Sequence, residues 1–200
     1  SDIFFEEMEL PKPHYHLGIG SGTHGAMTGR MLEAIEKVLI KETPDWVLIY
    51  GDTNSTLAGA LAAVKLHIPT AHVEAGLRSF NRKMPEEINR IIADHSADLL
   101  FTPTPGATKQ LLREGIVSEK IIEVGDVMFQ AALHYKKRAD KQSKVLERLK
   151  VTPKKYALAT IHRAENTDDK EKLKAVLAGL TQIARLVPVV WPIHPRTRQA

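Results

Sequence analysis

Residues 46–90 read WVLIYGDTNSTLAGALAAVKLHIPTAHVEAGLRSFNRKMPEEINR. Trp46–Tyr50 is a compact apolar run of strand length, the pattern of a strand buried on both faces. Gly51–Asp52 ends it, and Thr53 or Asn54 is suited to cap a helix reaching Lys65. Ile68–Val73 is a second short strand. Strand, helix and strand in this order form a parallel unit with a right-handed crossover. Residues 74–85 have no clean period and read as a loop. Glu86–His95 returns to helical spacing, with Pro85 at the first turn.

The alternation continues on both sides. Downstream, Asp98–Thr102 reads as a strand, and a helix starts at Thr104 or Pro105 and ends near Gly115. Ile121–Val124 is a further strand, closed by Gly125–Asp126. Upstream, residues 3–9 suit a short helix that Pro11 and Pro13 stop. His16–Thr23 reads as a short strand and Gly-rich turn, and Ala26–Lys41 as an amphipathic helix. The expected class is α/β, with a doubly wound parallel sheet. From Val127 the character shifts to a long basic helical stretch, whose run Lys136–Lys144 reads as a solvated face. Strand Tyr156–Ile161, helix Asp168–Leu186 and strand Val187–Ile193 then begin a second α/β unit. The expected domains are 1–126 and 127–200. Two strands cannot bury both faces of a sheet, so the second domain is expected to continue or to borrow cover. Both ends of the chain read as cut.

Bulk properties exclude several classes. Net charge is +4 and spread along 200 residues, which suits an anionic small molecule rather than nucleic acid. No apolar run approaches the roughly 20 residues that span a bilayer, so no membrane partner is expected. The chain has no cysteine, which fits a reducing, cytoplasmic setting.

The chemistry-bearing side chains gather at expected strand ends and helix starts. Asp52 suits a turn or N-cap, and equally a base or ion partner above the sheet. Glu74 ends an apolar strand, where a carboxylate needs a partner; His72 and Arg78 are candidates for a simple ion pair. Glu86 and Glu87 open a helix, where the dipole favours acids, and Arg90 lies one turn on. His162 and Arg163 follow strand YALATI, and His194 follows VVWPI. Two histidines at successive strand ends would face one crevice. No compact metal motif joins these groups. GIGSGT lacks dinucleotide-binding spacing, and neither a phosphate-binding lysine loop nor a serine elbow is present.

GDTNST, HVEAGLRS, MPEEINR, THRAEN and PIHP occur in this order. Together they resemble the non-hydrolysing UDP-N-acetylglucosamine 2-epimerases over nearly the whole chain. HVEAGLR followed by PEE-x-NR is the specific part. The resemblance implies two Rossmann-like domains facing across a cleft, the B-type glycosyltransferase architecture, truncated here at both ends. The family's first strand and Gly-Thr-Arg-Pro-Glu loop would precede Ser1, and its diphosphate-binding Gly-Gly loop would follow Ala200. This piece is therefore expected to lack part of the active site and to be inactive by itself.

The implied reaction inverts C2 of the sugar by anti elimination of UDP, followed by re-addition with the proton delivered to the other face. By the match, Asp52, Glu74 and Glu86 are the family's catalytic acids, with their division of labour open. His162 matches the histidine near the leaving diphosphate. Arg163 and His194 match positions that touch a second, regulatory UDP-sugar in some bacterial members; with Arg90 they are the candidate substrate-binding residues. The resemblance also implies a UDP-sugar as partner, no cofactor and no metal, a homodimer, and a place in cell-surface polysaccharide biosynthesis. The segment SFNRKM resembles members proposed to act on 2,3-diacetamido sugars, which leaves the C3 group open. A hydrolysing relative releasing UDP and N-acetylmannosamine, and a nucleotide-sugar binding module without turnover, are the competing readings.

Overall fold

The computed structural model describes residues 2–161, 163–193 and 197–198. It opens with α1 (Asp2–Glu7) and α2 (His24–Glu42), followed by β1 (Val47–Tyr50), α3 (Asn54–Lys65) and β2 (Thr70–Val73). Next come α4 (Pro85–Ser96), β3 (Leu99–Thr102), α5 (Pro105–Arg113), a 3-10 turn at Ser118–Lys120 and β4 (Ile121–Glu123). The chain continues through α6 (Val127–Gln142), α7 (Val145–Leu149), β5 (Ala157–Leu158), α8 (Ala164–Thr167), α9 (Lys170–Ala184) and β6 (Val189–Val190). Two compact units result, 1–132 and 133–200, and the division falls inside α6.

The first unit is built on a four-stranded parallel sheet in the order β1-β2-β3-β4. The order follows the sequence without reversal, so right-handed crossovers lay α3, α4 and α5 on one face. Burial alternates accordingly along β1. Ile49 is buried, whereas Leu48 and Tyr50 are half exposed. The register places Tyr50, Val73, Phe101 and Ile122 in one row on the less covered face. This corrects the expectation that Trp46–Tyr50 is buried on both faces. Its hydrophobicity is real, but β1 ends the sheet, and the face of β1 that carries Leu48 and Tyr50 is left exposed while Ala71 and Val73 beside them on β2 are buried. The doubly wound arrangement is likewise not displayed among the described residues.

Alanine and glycine make the covered layer thin. Ala58, Ala60, Ala62 and Ala63 of α3 are fully buried. Ala62 and Ala63 pack with Leu39 of α2, and Ala60 with Ile49 and with Ala93 of α4. At Gly59 a Cβ would lie 3.2 Å from Ile49 Cγ2, so the absent side chain sets the distance of α3 from the sheet. A second cluster joins Ala75, Ala97, Leu100 and Leu111.

Local signals place most elements within a residue or two. Thr23 caps α2 by accepting from Ala26 N, and Thr104 caps α5 by accepting from Ala107 N. Thr53 occupies the N-cap position of α3 but makes no side-chain cap bond. The expected strand within His16–Thr23 does not form. A strand needs a neighbouring ladder, and the sheet of the described residues ends at β1. The short helix α8 was not anticipated from the sequence.

The second unit contains the two-stranded parallel sheet β5-β6, in register from Ala157↔Val189 to Leu158↔Val190, with α9 between its strands. Asp169 caps α9 by accepting from Glu171 N and Lys172 N. The basic run is solvated, as expected, and Lys136 pairs with Asp140 at 2.6 Å.

Gly76 is the tightest backbone position. It has φ +82°, and a Cβ there would lie 2.5 Å from the Ala107 carbonyl oxygen. Gly76→Ala is therefore expected to lower unfolding free energy by more than about 1 kcal/mol, readable as a shifted urea midpoint. An unchanged midpoint would contradict this packing.

Candidate active site

The carboxyl ends of adjacent strands β1 and β2 carry Asp52 and Glu74. Gly51 turns out of β1 with φ +66°, and Glu74 leaves β2 with φ +70°. Both values lie in the left-handed region, which a side chain other than glycine's rarely enters. Glu74 thereby folds back over the first turn. Its Oε2 lies 3.3 Å from where a Cβ on Gly51 would stand. Glycine at 51 is what lets the carboxylate approach so closely.

Asp52 is not a helix cap. Its carboxylate pairs with the Arg90 guanidinium, and its backbone carbonyl accepts from Asn89 Nδ2 at 2.9 Å. Arg90 also reaches Glu87 Oε2 at 3.3 Å. Its Nε is buried without a protein partner among the described residues. Asn89 and Arg90, successive residues of α4, thus tie that helix to the turn after β1.

The adjacent acids Glu86 and Glu87 play different parts. Glu87 is buried and accepts from Ser79 N at 2.8 Å, Ser79 Oγ at 2.8 Å and Phe80 N at 2.9 Å. Burial works to raise its pKa, but these hydrogen bonds and the Arg90 charge prevail and hold it below the ordinary carboxylate range. Glu87 is committed to folding the loop in which Phe80 has φ +58°. Glu86 is half buried on the first turn of α4, and its side chain makes no hydrogen bond or ion pair with the described residues.

Glu74 has the opposite electrostatics. Burial, reinforced by Asp126 and Asp52, pushes its pKa above the ordinary value against the smaller pull of His72 and Arg90. A carboxyl that keeps its proton to higher pH than an ordinary one suits acid–base work. The expected ion pairs of Glu74 with His72 or Arg78 do not form. His72 is engaged by Asp94 and the Gly51 carbonyl, at 2.7 Å each. Arg78 donates to Asp94 at 2.7 Å and to both oxygens of Glu114, at 2.8 and 2.6 Å.

That second network is structural. Glu114 resists burial through hydrogen bonds from Arg78 and Gln110, and its pKa falls to about 2. A depressed carboxylate stabilises the fold above its unfolded pKa and loses that contribution as pH falls through the folded value. The contribution of Glu114 should therefore persist down to the ordinary carboxylate range and disappear toward pH 2. Acid titration of unfolding should show Glu114→Gln differing from wild type above this window and converging below it.

Asp52, Glu74 and Arg90 come together, whereas Glu86, on the same helix as Arg90, has no polar link to them. Arg163 lies in the second unit, where its carbonyl accepts from Asn166 N at 3.0 Å and Thr167 N at 3.1 Å. His162 and His194 lie outside the described residues. Asp126 was not singled out from the sequence. It lies between β4 and α6 and accepts from Met128 N at 2.9 Å and Phe129 N at 3.0 Å, while its charge acts on Glu74. The signal was present, because VGD at residues 124–126 repeats the strand-Gly-Asp pattern of YGD at 50–52. Among the described residues no three histidine or acidic side chains form a metal-binding group.

The family model described as UDP-N-acetylglucosamine 2-epimerase matches residues 1–200. The chain belongs to the UDP-N-acetylglucosamine 2-epimerase family. Within this family it is 54% identical to the UDP-2,3-diacetamido-2,3-dideoxy-D-glucuronate 2-epimerase of Pseudomonas aeruginosa, over 99% of this chain and 55% of that protein. It is 53% identical to the UDP-N-acetylglucosamine 2-epimerase of Methanocaldococcus jannaschii, over 98% and 55%. A crystal structure of the M. jannaschii enzyme in complex with UDP-GlcNAc and UDP matches with a TM-score of 0.90 at 52% identity, covering 99% of this chain and 55% of that one. The chain thus spans about half the length of the relatives it matches.

Proposed function

We propose that the protein epimerises C2 of UDP-N-acetylglucosamine, or of a 2,3-diacetamido analogue, by eliminating and re-adding UDP. The carrying observation is the pairing of unlike carboxyl groups at adjacent strand ends. Asp52 is held by Arg90, and Glu74 lies over the same turn with a raised pKa. The chemistry explains why such a pair is useful. No carbonyl activates C2, so its hydrogen is not acidic until the C1–O bond weakens. The transition state then carries oxocarbenium character. An ionised carboxylate stabilises that cation, and a second carboxyl exchanges the proton.

In this reading Glu74 is a proton carrier, Asp52 a cation stabiliser oriented by Arg90, and Glu86 a further acid free of structural duties. His162 favours departure of the diphosphate, and Arg163 and His194 bind nucleotide sugar. Two Rossmann-like domains, near 1–126 and from 127 onward, with doubly wound sheets of B-type glycosyltransferase architecture, belong to the same proposal. So do a homodimer, a cytoplasmic setting and the independence from cofactor and metal. Relatives named for both sugars are similarly near, which supports assaying both.

The test is incubation of each UDP-sugar with the full-length protein in heavy water. Deuterium at C2 of an intact UDP-sugar is the expected result. Stoichiometric free UDP and free sugar would instead identify a hydrolysing relative. Binding with neither exchange nor release would leave a nucleotide-sugar binding module.

A further inference from the structure

The strand ends that carry Asp52 and Glu74 share a buried polar partner that the chemistry above does not use. His72, in the middle of the sheet, is fully buried, and so is Asp94 of α4. His72 Nε2 lies 2.7 Å from the Gly51 carbonyl oxygen and Nδ1 lies 2.7 Å from Asp94 Oδ1. A carbonyl oxygen only accepts, so Nε2 carries a hydrogen. Asp94 Oδ2 accepts from Gly76 N at 3.1 Å and from Arg78 Nη1 at 2.7 Å. Two donors on that oxygen, one of them a guanidinium, favour the ionised carboxylate. The remaining proton then sits on Nδ1, and the ring donates in both directions.

Through these bonds one side chain joins two turns. On one side is the Gly51 peptide, whose next residue is Asp52 and against which Glu74 lies. On the other is Asp94, which holds Gly76, two residues after Glu74. Gly51 N also donates to Val73 O at 3.1 Å, so both polar groups of the Gly51 residue are tied to β2. A merely space-filling core residue at 72 would leave the part-buried Gly51 carbonyl without this donor and the turn tied to β2 through Gly51 N alone.

We propose that His72 is a positioning residue, a doubly donating ring braced by Asp94 that sets the separation of Asp52 and Glu74. The consequence for turnover rests on the epimerase reading; the hydrogen-bond assignment does not. The substitutions separate the two bonds by reach. Glutamine at 72 retains an amide donor near the Nε2 position, and asparagine retains one near Nδ1.

Nitrogen-15 spectra of the protein should show both His72 ring nitrogens protonated, with slowly exchanging protons. Asp94→Asn should remove the Nδ1 proton signal. In the C2 exchange assay, folded His72→Leu should lose about 100-fold in kcat, the cost of roughly ångström-scale misplacement, while KM changes far less. His72→Gln should recover more kcat than His72→Asn, because the Gly51 tether governs the turn. The His72→Gln and His72→Asn comparison stands even where His72→Leu fails to fold.

An unprotonated Nδ1 in the wild type would overturn the assignment. Wild-type kcat in folded His72→Leu, or equal kcat in the Gln and Asn variants, would overturn the positioning role. Absence of exchange in the wild type would count against the epimerase reading. The ring spectrum would then decide the assignment without substrate.

Discussion

Glu74→Gln should abolish C2 deuterium exchange, with a loss of roughly 10³-fold, the scale of a removed acid–base group. Glutamine keeps the size and polarity of the side chain but cannot carry the proton. Binding of UDP-sugar, followed by calorimetry, should change far less than the exchange rate. The same variant should be more stable than wild type at neutral pH. Burial and the neighbouring acids Asp126 and Asp52 raise the folded pKa of Glu74. Between the unfolded and folded values the native state holds more protons, so stability falls as pH rises through that interval. At pH 7 the wild type bears this cost and the glutamine variant does not. Below the ordinary carboxylate range both forms are neutral and the two unfolding midpoints should converge. Near-normal exchange in Glu74→Gln would remove Glu74 from the mechanism. A glutamine variant less stable at pH 7 would contradict the electrostatics assigned to the turn.

The second large effect separates two neighbours in sequence. Glu87→Ala should destabilise the fold by about 1–3 kcal/mol, because it leaves Ser79 N, Ser79 Oγ and Phe80 N without their acceptor and leaves Arg90 with Asp52 alone. Urea unfolding at neutral pH measures this. The loss should shrink in acid, since a carboxylate with a depressed pKa contributes stability above its unfolded value and loses it as pH falls through the folded one. Glu86→Gln should behave in the opposite way. It breaks no hydrogen bond or ion pair with the described residues, so stability should stay within about 0.5 kcal/mol, while C2 exchange disappears. A stable Glu87→Ala, or an active Glu86→Gln, would exchange the roles assigned to the two acids. Asp52→Asn belongs with the activity group. It should lose exchange while keeping the fold, because the amide oxygen still accepts from Arg90 but carries no charge to meet an oxocarbenium ion.

The alternation of elements was readable because it depends on local rules. The apolar run before Gly51 and the threonine caps at 23 and 104 act over a few residues. Proline at 85 and 105 does so as well. Each therefore leaves a local trace. The failed strand at His16–Thr23 and the half-exposed Leu48 and Tyr50 have a different origin. Whether an apolar segment pairs, and on which face it is covered, depends on neighbours distant in sequence.

The same division runs through the candidate site. Residue types and their order already marked Asp52, Glu74, Glu86 and Arg90, since acids at strand ends and helix starts follow from chain-local patterns. Charge state and partnership did not. Only the packed arrangement gives Arg90 to Asp52 across 38 positions, and Arg78 to Glu114 rather than Glu74. It alone spends Glu87 on a loop, leaves Glu86 free and brings Asp126 to bear on Glu74. The sequence determined a parallel α/β framework with acids at its strand ends. Tertiary structure decided which of those acids are neutralised, which are buried and which remain able to move a proton. The reason is physical: pairing and desolvation act through space, between groups whose separation in the chain carries no record of their distance in the fold.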